Sequence, residues 1–290
     1  MSFENDSIPV ARRAYPEDLG EVAQEHTPET DSPEIREVAP EDLGTWLGKG
    51  WHDLWQRPVA LVHGLVIAMV GLVLLGLSWN QPWMAFSWLA GILLLGPVLA
   101  VGVNYLALQK ERGQPGGLGL GWLGALGGSV WGFAALLAVL FVIWASFVWM
   151  WIAVLNIGEL GVSGQLHHMV GAMLTSGTGI ISLVGVVVAA IAFGLVAFAL
   201  SLATIPALLD HRMRDDAPQK SLVESIGVSL KAFSHNPGTL VLWGLIITAL
   251  FMVSLATALL ALIVIFPWLG FAMWHGYRDL VATRLPPAGA

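Results

Sequence analysis

TLVLWGLIITALFMVSLATALLALIVIFPWLGFAMW, residues 239–274, runs for 36 residues without one Asp, Glu, Lys or Arg. As a single helix it would measure about 54 Å at 1.5 Å per residue, against about 30 Å for the hydrocarbon core of a bilayer. It must therefore double back as a helical hairpin, and the small polar stretch from Ser254 to Thr257 marks the turn. Two helices of this composition, joined without a charge, belong in lipid.

Outward from this stretch the same pattern repeats. Charge-free gaps cover residues 58–109, 113–158, 160–209 and 232–277, and together they hold 194 of the 290 residues. Only 11% of the chain is charged and 56% is hydrophobic, which excludes a soluble domain, since a soluble core helix tolerates only about 10 to 14 apolar residues in a row. Absence of Cys excludes disulfides, iron–sulfur clusters and thiol catalysis. Spans are predicted at about 59–78, 84–108, 130–155, 180–209, 238–255 and 258–278, with a kink at Gly96-Pro97 and Pro206 near the end of the fourth. The expected fold is all-α, a polytopic six-helix transmembrane bundle spanning residues 42–283.

Basic residues test the arrangement independently, because Lys and Arg collect on the cytoplasmic side of a bacterial membrane. All 13 fall in the segment before the first span, in the second and fourth connectors and after the last span. The three opposite connectors have none. Both termini are expected to be cytoplasmic in a multi-pass protein.

Residues 1–41 read as a disordered acidic tail and 284–290 as a short C-terminal one. Residues 1–42 hold 12 acids and three arginines, so nothing there resembles a cleavable signal. Pro16-Glu17-Asp18-Leu19-Gly20 recurs as Pro40-Glu41-Asp42-Leu43-Gly44. A docking motif and Pro- and Glu-rich low complexity both fit this recurrence.

Two amphipathic lead-in helices stand before spans. Leu43, Trp46, Leu47, Trp51, Leu54 and Trp55 recur at helical spacing before Pro58, forming a Trp-rich face suited to the headgroup layer. Ser221 and Glu224 make a capping box for a second helix whose stripe is Leu222, Val223, Ile226, Leu230 and Phe233. A shift of 179 residues superposes Leu43 on Leu222, Gly48 on Gly227, Leu54 on Phe233 and Pro58 on Pro237. Pro97, Pro206 and Pro267 correspond as well. The pattern describes three helical hairpins, each with a Pro in its returning helix; chance matching of apolar residues is the competing explanation.

These blocks carry a resemblance. Ile35-Arg36-Glu37-Val38, the run from Trp46 to Leu54, Gly96-Pro97-Val98-Leu99-Ala100-Val101-Gly102, Ile205-Pro206-Ala207-Leu208-Leu209-Asp210, Asn236-Pro237-Gly238 and Trp274-His275-Gly276-Tyr277-Arg278-Asp279-Leu280 resemble a bacterial family of predicted integral membrane proteins. That family is known only as a domain of unknown function, and is sometimes labelled cytochrome oxidase subunit-like. The resemblance implies a bacterial inner-membrane protein and supplies no catalytic residue. The oxidase label adds nothing, because the spans lack the set of mid-membrane histidines that haem and copper require.

Polar positions in or beside the spans are the candidates for a site: His63, Asn104, Asp210, His275, Tyr277, Arg278 and Asp279. His63 with His275 makes at most a two-ligand metal site, against which stand ordinary interhelical hydrogen bonds. On a helix His275 and Asp279 share a face while Tyr277 and Arg278 point elsewhere, and Arg278 can reach lipid phosphate or Asp210. His167-His168-Met169 suits a soft metal or an amphipathic outer loop, and the choice stays open. Gly119-Leu120-Gly121-Trp122-Leu123-Gly124 spells a dinucleotide fingerprint without the strand or the acidic residue it needs; Gly124, Gly128 and Gly132 read instead as a helix-packing stripe.

No span carries a carboxylate pair, a nucleophile constellation or a mid-membrane charge. The expected role is a non-enzymatic platform or accessory subunit without cofactor or resident metal. Its partners are the lipid bilayer and a membrane or cytoplasmic protein, not nucleic acid. The other reading is a facilitator or exporter of a small neutral or apolar solute.

Overall fold

The computed structural model describes residues 34–78, 82–116, 127–155, 174–212 and 221–282. The helices are α1 (Pro40–Gln56), a 3₁₀ turn (Pro58–Ala60), α2 (Leu61–Leu77), α3 (Pro82–Leu99) and α4 (Val101–Glu111). They are followed by α5 (Gly128–Leu155), α6 (Gly177–Ser201), α7 (Thr204–Arg212), α8 (Leu222–His235), α9 (Pro237–Ala256) and α10 (Leu262–Leu280). Two short strands, β1 (Glu34–Ile35) and β2 (Val281–Ala282), pair antiparallel.

The molecule is a helical membrane bundle. Among the described residues, five segments are long and apolar enough to cross a membrane: Pro58–Leu77, Ser87–Glu111, Gly128–Trp151, Gly177–Asp210 and Pro237–Ala256. The sixth expected span, α10, falls short of that mark because its last two turns carry His275, Arg278 and Asp279.

Proline breaks two of the returning helices as the missing N–H dictates. The expected single helix over 84–108 is two, α3 with Pro97 inside it and α4, parted at Ala100. The expected helix over 180–209 parts at Leu202 and Ala203. There a neighbour repairs the backbone: Ser229 Oγ on α8 donates to the Ala199 carbonyl (2.7 Å) and accepts from Ala203 N–H (3.0 Å). This is how broken helices survive where water is scarce.

The lead-in helices bury a different face from the one their large apolar residues suggest. In α1 the buried positions are Leu43, Trp46, Gly50, Asp53 and Leu54, while Trp51 and Trp55 are exposed. In α8 they are Ser225, Val228, Ser229 and Ala232, while Val223 and Leu230 are exposed. In α8 small and polar residues meet the neighbouring helices, whereas α1 buries Leu43, Trp46 and Leu54 beside Gly50 and Asp53 and turns only part of its Trp-rich face outward. The 179-residue shift brings three buried pairs together, Trp46 with Ser225, Gly50 with Ser229 and Asp53 with Ala232, but sets buried Val228 on exposed Lys49. It also aligns the ends, since α1 stops at Gln56 and α8 at His235, and the residues after them share one backbone conformation, φ −130° and ψ 60° at Arg57 against φ −128° and ψ 45° at Asn236.

α10 is the centre of the bundle, packed by α1, α2, α4, α7 and α9. Glycines let the chains close on it. A Cβ on Gly64 would lie 2.3 Å from the Ile263 carbonyl oxygen, the acceptor that Pro267 leaves without its helical donor. A Cβ on Gly50 would lie 2.6 Å from the backbone nitrogen of Ala272. The hairpin between α9 and α10 turns at Thr257 to Ala261, just after the expected position, with Ala258 and Leu259 at positive φ (50° and 67°). Fully buried Leu259 holds this uncommon conformation by seating against Gly71 of α2.

The described chain begins inside the expected 1–41 tail. Arg36 N–H bonds to the Leu280 carbonyl beside the strand pair (2.9 Å). Asn236 Oδ1 accepts from Val38 N–H (2.9 Å), Asn236 Nδ2 donates to the Arg36 carbonyl (3.0 Å), and Thr239 Oγ1 donates to the Val38 carbonyl (3.0 Å). Residues 34–39 are thus a strap across the α8–α9 junction, and α1 starts at Pro40 rather than after the tail. The first copy of the Pro-Glu-Asp-Leu-Gly recurrence lies outside the described residues.

Candidate functional site: a charged cluster at one end of the bundle

Helices α4, α7 and α10 finish together, and α1 lies against α10. Charged residues at the ends of the three and along α1 meet in two linked networks. In the first, Asp53 is buried at 6% exposure and both its oxygens are used. Lys110 Nζ donates to Oδ1, and His275 Nε2–H donates to Oδ2 at 3.0 Å. Burial pushes the Asp53 carboxyl up, but the hydrogen bonds and charges of His275 and Lys110 outweigh it and hold the group below its ordinary 3.8.

In the second, Arg278 grips Asp210 with both ends of its fork: Nη2 to Oδ1 at 2.7 Å and Nη1 to Oδ2 at 3.1 Å. Its Nε donates to Glu111 Oε2 (3.1 Å), which also accepts from Trp274 Nε1–H (2.9 Å). The guanidinium lies 4.9 Å from the Trp274 ring centre and 5.5 Å from that of Tyr277, within the range of cation–π attraction. Tyr277 is fully buried and directs its hydroxyl to Asp210 (3.4 Å). Bidentate, charge-assisted contacts of this kind fix orientation as well as adding energy.

The face-sharing pair His275 and Asp279 both turn to α1, His275 to Asp53 and Asp279 Oδ2 to Trp46 Nε1–H (2.8 Å). Trp46 is fully buried, edge-on to Trp243, with Gly276 making room for it. Asp53, Ala107, Lys110, Glu111, Trp274 and Arg278 border a half-open cleft of about 270 Å³, with His275 on its rim.

The other candidates lie elsewhere. His63 rests against Gly102 of α4, eight residues before Lys110 and therefore about 12 Å deeper, so the two histidines do not share a site. Asn104 is buried at 2% exposure one turn past the α3–α4 break. Among the described residues no group of three His, Asp or Glu is placed to hold a metal. His167-His168-Met169 and the segment from Gly119 to Gly124 lie outside the described residues. Of the expected stripe, Gly132 approaches α8, where its Cβ would sit 3.1 Å from Leu222, but a Cβ on Gly128 would meet nothing within 4 Å, so the stripe does not pack as a unit.

Sequence reasoning missed Asp53, Lys110, Glu111, Trp46 and Trp274. Lys110 and Glu111 read as connector charges because they follow the apolar run. Asp53 carried a usable signal: positions 43, 46, 50, 53 and 54 form a helical stripe in which it is the only charge.

Residues 84–210 match the model of a family described as predicted integral membrane protein (DUF2189), and no curated protein or solved structure matches the chain.

Proposed function

Starting from a chain whose residues 84–210 are a predicted integral membrane protein region of the DUF2189 family, we propose a non-enzymatic platform or accessory subunit of a bacterial inner membrane. It crosses the bilayer six times, with α10 as the protein-shielded sixth span, and its charged end and both termini face the cytoplasm. One observation supports this most. The cluster's acids and bases are spent on each other, with Asp53 held by Lys110 and His275 and Asp210 held by Arg278. Groups so committed brace a surface; they are poorly placed to exchange protons or attack a substrate. A supporting feature is sidedness, since all 13 Lys and Arg residues fall in alternate connectors or termini.

A transport reading has one observation in its favour, the two returning helices broken at Ala100 and at Leu202–Ala203, where half-helices border other solute paths. Two experiments separate the readings. Photo-crosslinking residues at Lys49 and Lys231, both exposed on the lead-in helices, should trap one partner protein in native membranes that also copurifies with the wild type. Saturable, protein-dependent flux of a neutral solute into proteoliposomes, with no partner trapped, would replace the platform by the carrier. Orientation is tested on the same cysteine-free chain: a single cysteine at Gly164 should react with an impermeant thiol reagent in intact cells and one at Gly116 should not.

A further inference from the structure

The cleft at the charged end keeps polar atoms that neither network uses. Asp53 spends both oxygens, and Trp274 its only N–H. Glu111 spends Oε2 twice, but among the described residues its Oε1 accepts nothing. Lys110 makes one bond, to Asp53, and has two further N–H groups. These two side chains are 43% and 26% exposed, so they remain reachable from outside the fold.

We propose that this cleft binds a small zwitterion, a primary ammonium joined by a short chain to a phosphate or carboxylate. The ammonium donates to Glu111 Oε1, and the anionic end meets the Lys110 ammonium.

Charge balance selects this class. The lining carries Asp53 and Glu111 against Lys110 and Arg278, so its formal charges cancel. A simple anion would meet two carboxylates and a simple cation two bases, and each would leave one of them facing a like charge. A ligand whose own charges cancel meets neither penalty. Asp210 behind Arg278 adds one negative charge, which favours the ammonium on the Glu111 side. Size agrees: about 270 Å³ is the room of about nine waters at about 30 Å³ each, enough for a headgroup and too little for a nucleotide. The cleft lies where apolar helices end, at the depth of lipid headgroups. An aminophospholipid headgroup and a water-soluble zwitterion share the required chemistry. The inference holds whether the protein is a platform or a carrier, because it concerns only what occupies the cleft.

The test uses the full chain in detergent and native mass spectrometry with three probe lipids: phosphatidylethanolamine, phosphatidylcholine and phosphatidylglycerol. Phosphatidylcholine has the same charges as phosphatidylethanolamine but no N–H to donate, so it separates hydrogen bonding from charge. Phosphatidylethanolamine should be retained at least tenfold over both others. Glu111→Gln and Lys110→Met should each lower that retention at least tenfold, while Arg112→Gln, next in the chain but not lining the cleft, should leave it unchanged. Free phosphoethanolamine added as competitor identifies the source: displacement of the lipid, or binding of the soluble probe alone, supports the same site with a water-borne ligand. Equal retention of the three lipids by the wild type, with no binding of phosphoethanolamine, overturns the proposal and needs no variant to fold. A wild-type preference that survives both substitutions overturns it too, by moving the ligand elsewhere.

Discussion

Replacing Arg278 by Ala would leave the Asp210 carboxylate, 2% exposed, without the fork that now holds both its oxygens. Breaking a buried ion pair from one side costs about 3–5 kcal/mol, since the surviving charge stays in a poorly solvated place. Asp210→Ala should cost less, about 1–3 kcal/mol, because Arg278 is 20% exposed and keeps Glu111 and the faces of Trp274 and Tyr277. The double substitution removes both charges and strands neither. Its cost should therefore fall below the sum of the singles by at least about 2 kcal/mol, well outside the error of additivity. Arg278→Lys keeps the charge without the fork and should lie between the wild type and Arg278→Ala. Reversible unfolding in mixed lipid–detergent micelles, followed by far-ultraviolet circular dichroism, gives the four free energies. A double variant within about 0.5 kcal/mol of the summed singles would refute the coupling and reduce Arg278 to an interfacial anchor.

Other perturbations read other joints. Gly64→Ala drives a Cβ against the Ile263 carbonyl, a backbone atom that cannot step aside, and should destabilise by about 1–3 kcal/mol in the same assay; no loss would mean that α2 and α10 sit further apart. Ser229→Ala removes both bonds that bridge the α6–α7 break and should cost about 1–3 kcal/mol, with faster amide exchange at Ala203 than in the wild type. Because the Asp53 carboxyl is held below its ordinary value, its contribution is complete above about pH 5 and is lost as pH falls through the lowered folded value. Asp53→Asn should therefore flatten the acid limb of the stability curve, and an unchanged limb would deny Asp53 that role. Deleting residues 1–33 should leave stability unchanged, whereas deletion through 39 takes away the strap's bonds to Asn236 and Thr239 and should lower it by about 2–3 kcal/mol.

The spans were legible because lipid enforces them: an uncharged run of about 20 residues has few other uses. The hairpin turn was legible within a few residues for the same reason. The face of α1 was legible only in part: the stripe read as a headgroup-facing side leaves Trp51 and Trp55 exposed, but Leu43, Trp46 and Leu54 of the same stripe are buried beside Gly50 and Asp53, because α10 packs along that side. Of the charged cluster, Arg278 and Asp210 could be paired from sequence, since each follows a returning span and both lie at one depth. Asp53 and Lys110 could not, because their meeting depends on how α1 crosses α10, which no local spacing encodes.

The position of α10 also bears on how the protein is made. Of the described helices, the one at the centre of the bundle leaves the ribosome after the others. Until Leu262–Leu280 has been inserted, α1, α2, α4 and α7 have no common surface to close on. Asp210, meanwhile, waits without Arg278, and Asp53 without His275. The helices already made pack on one another, α3 on α5 and α4 on α7, so what waits for α10 is mainly the docking of α1 and α2. A nascent chain that stops short of residue 262 should thus present an exposed carboxylate at the bilayer surface, a feature by which quality control can tell it from the finished protein.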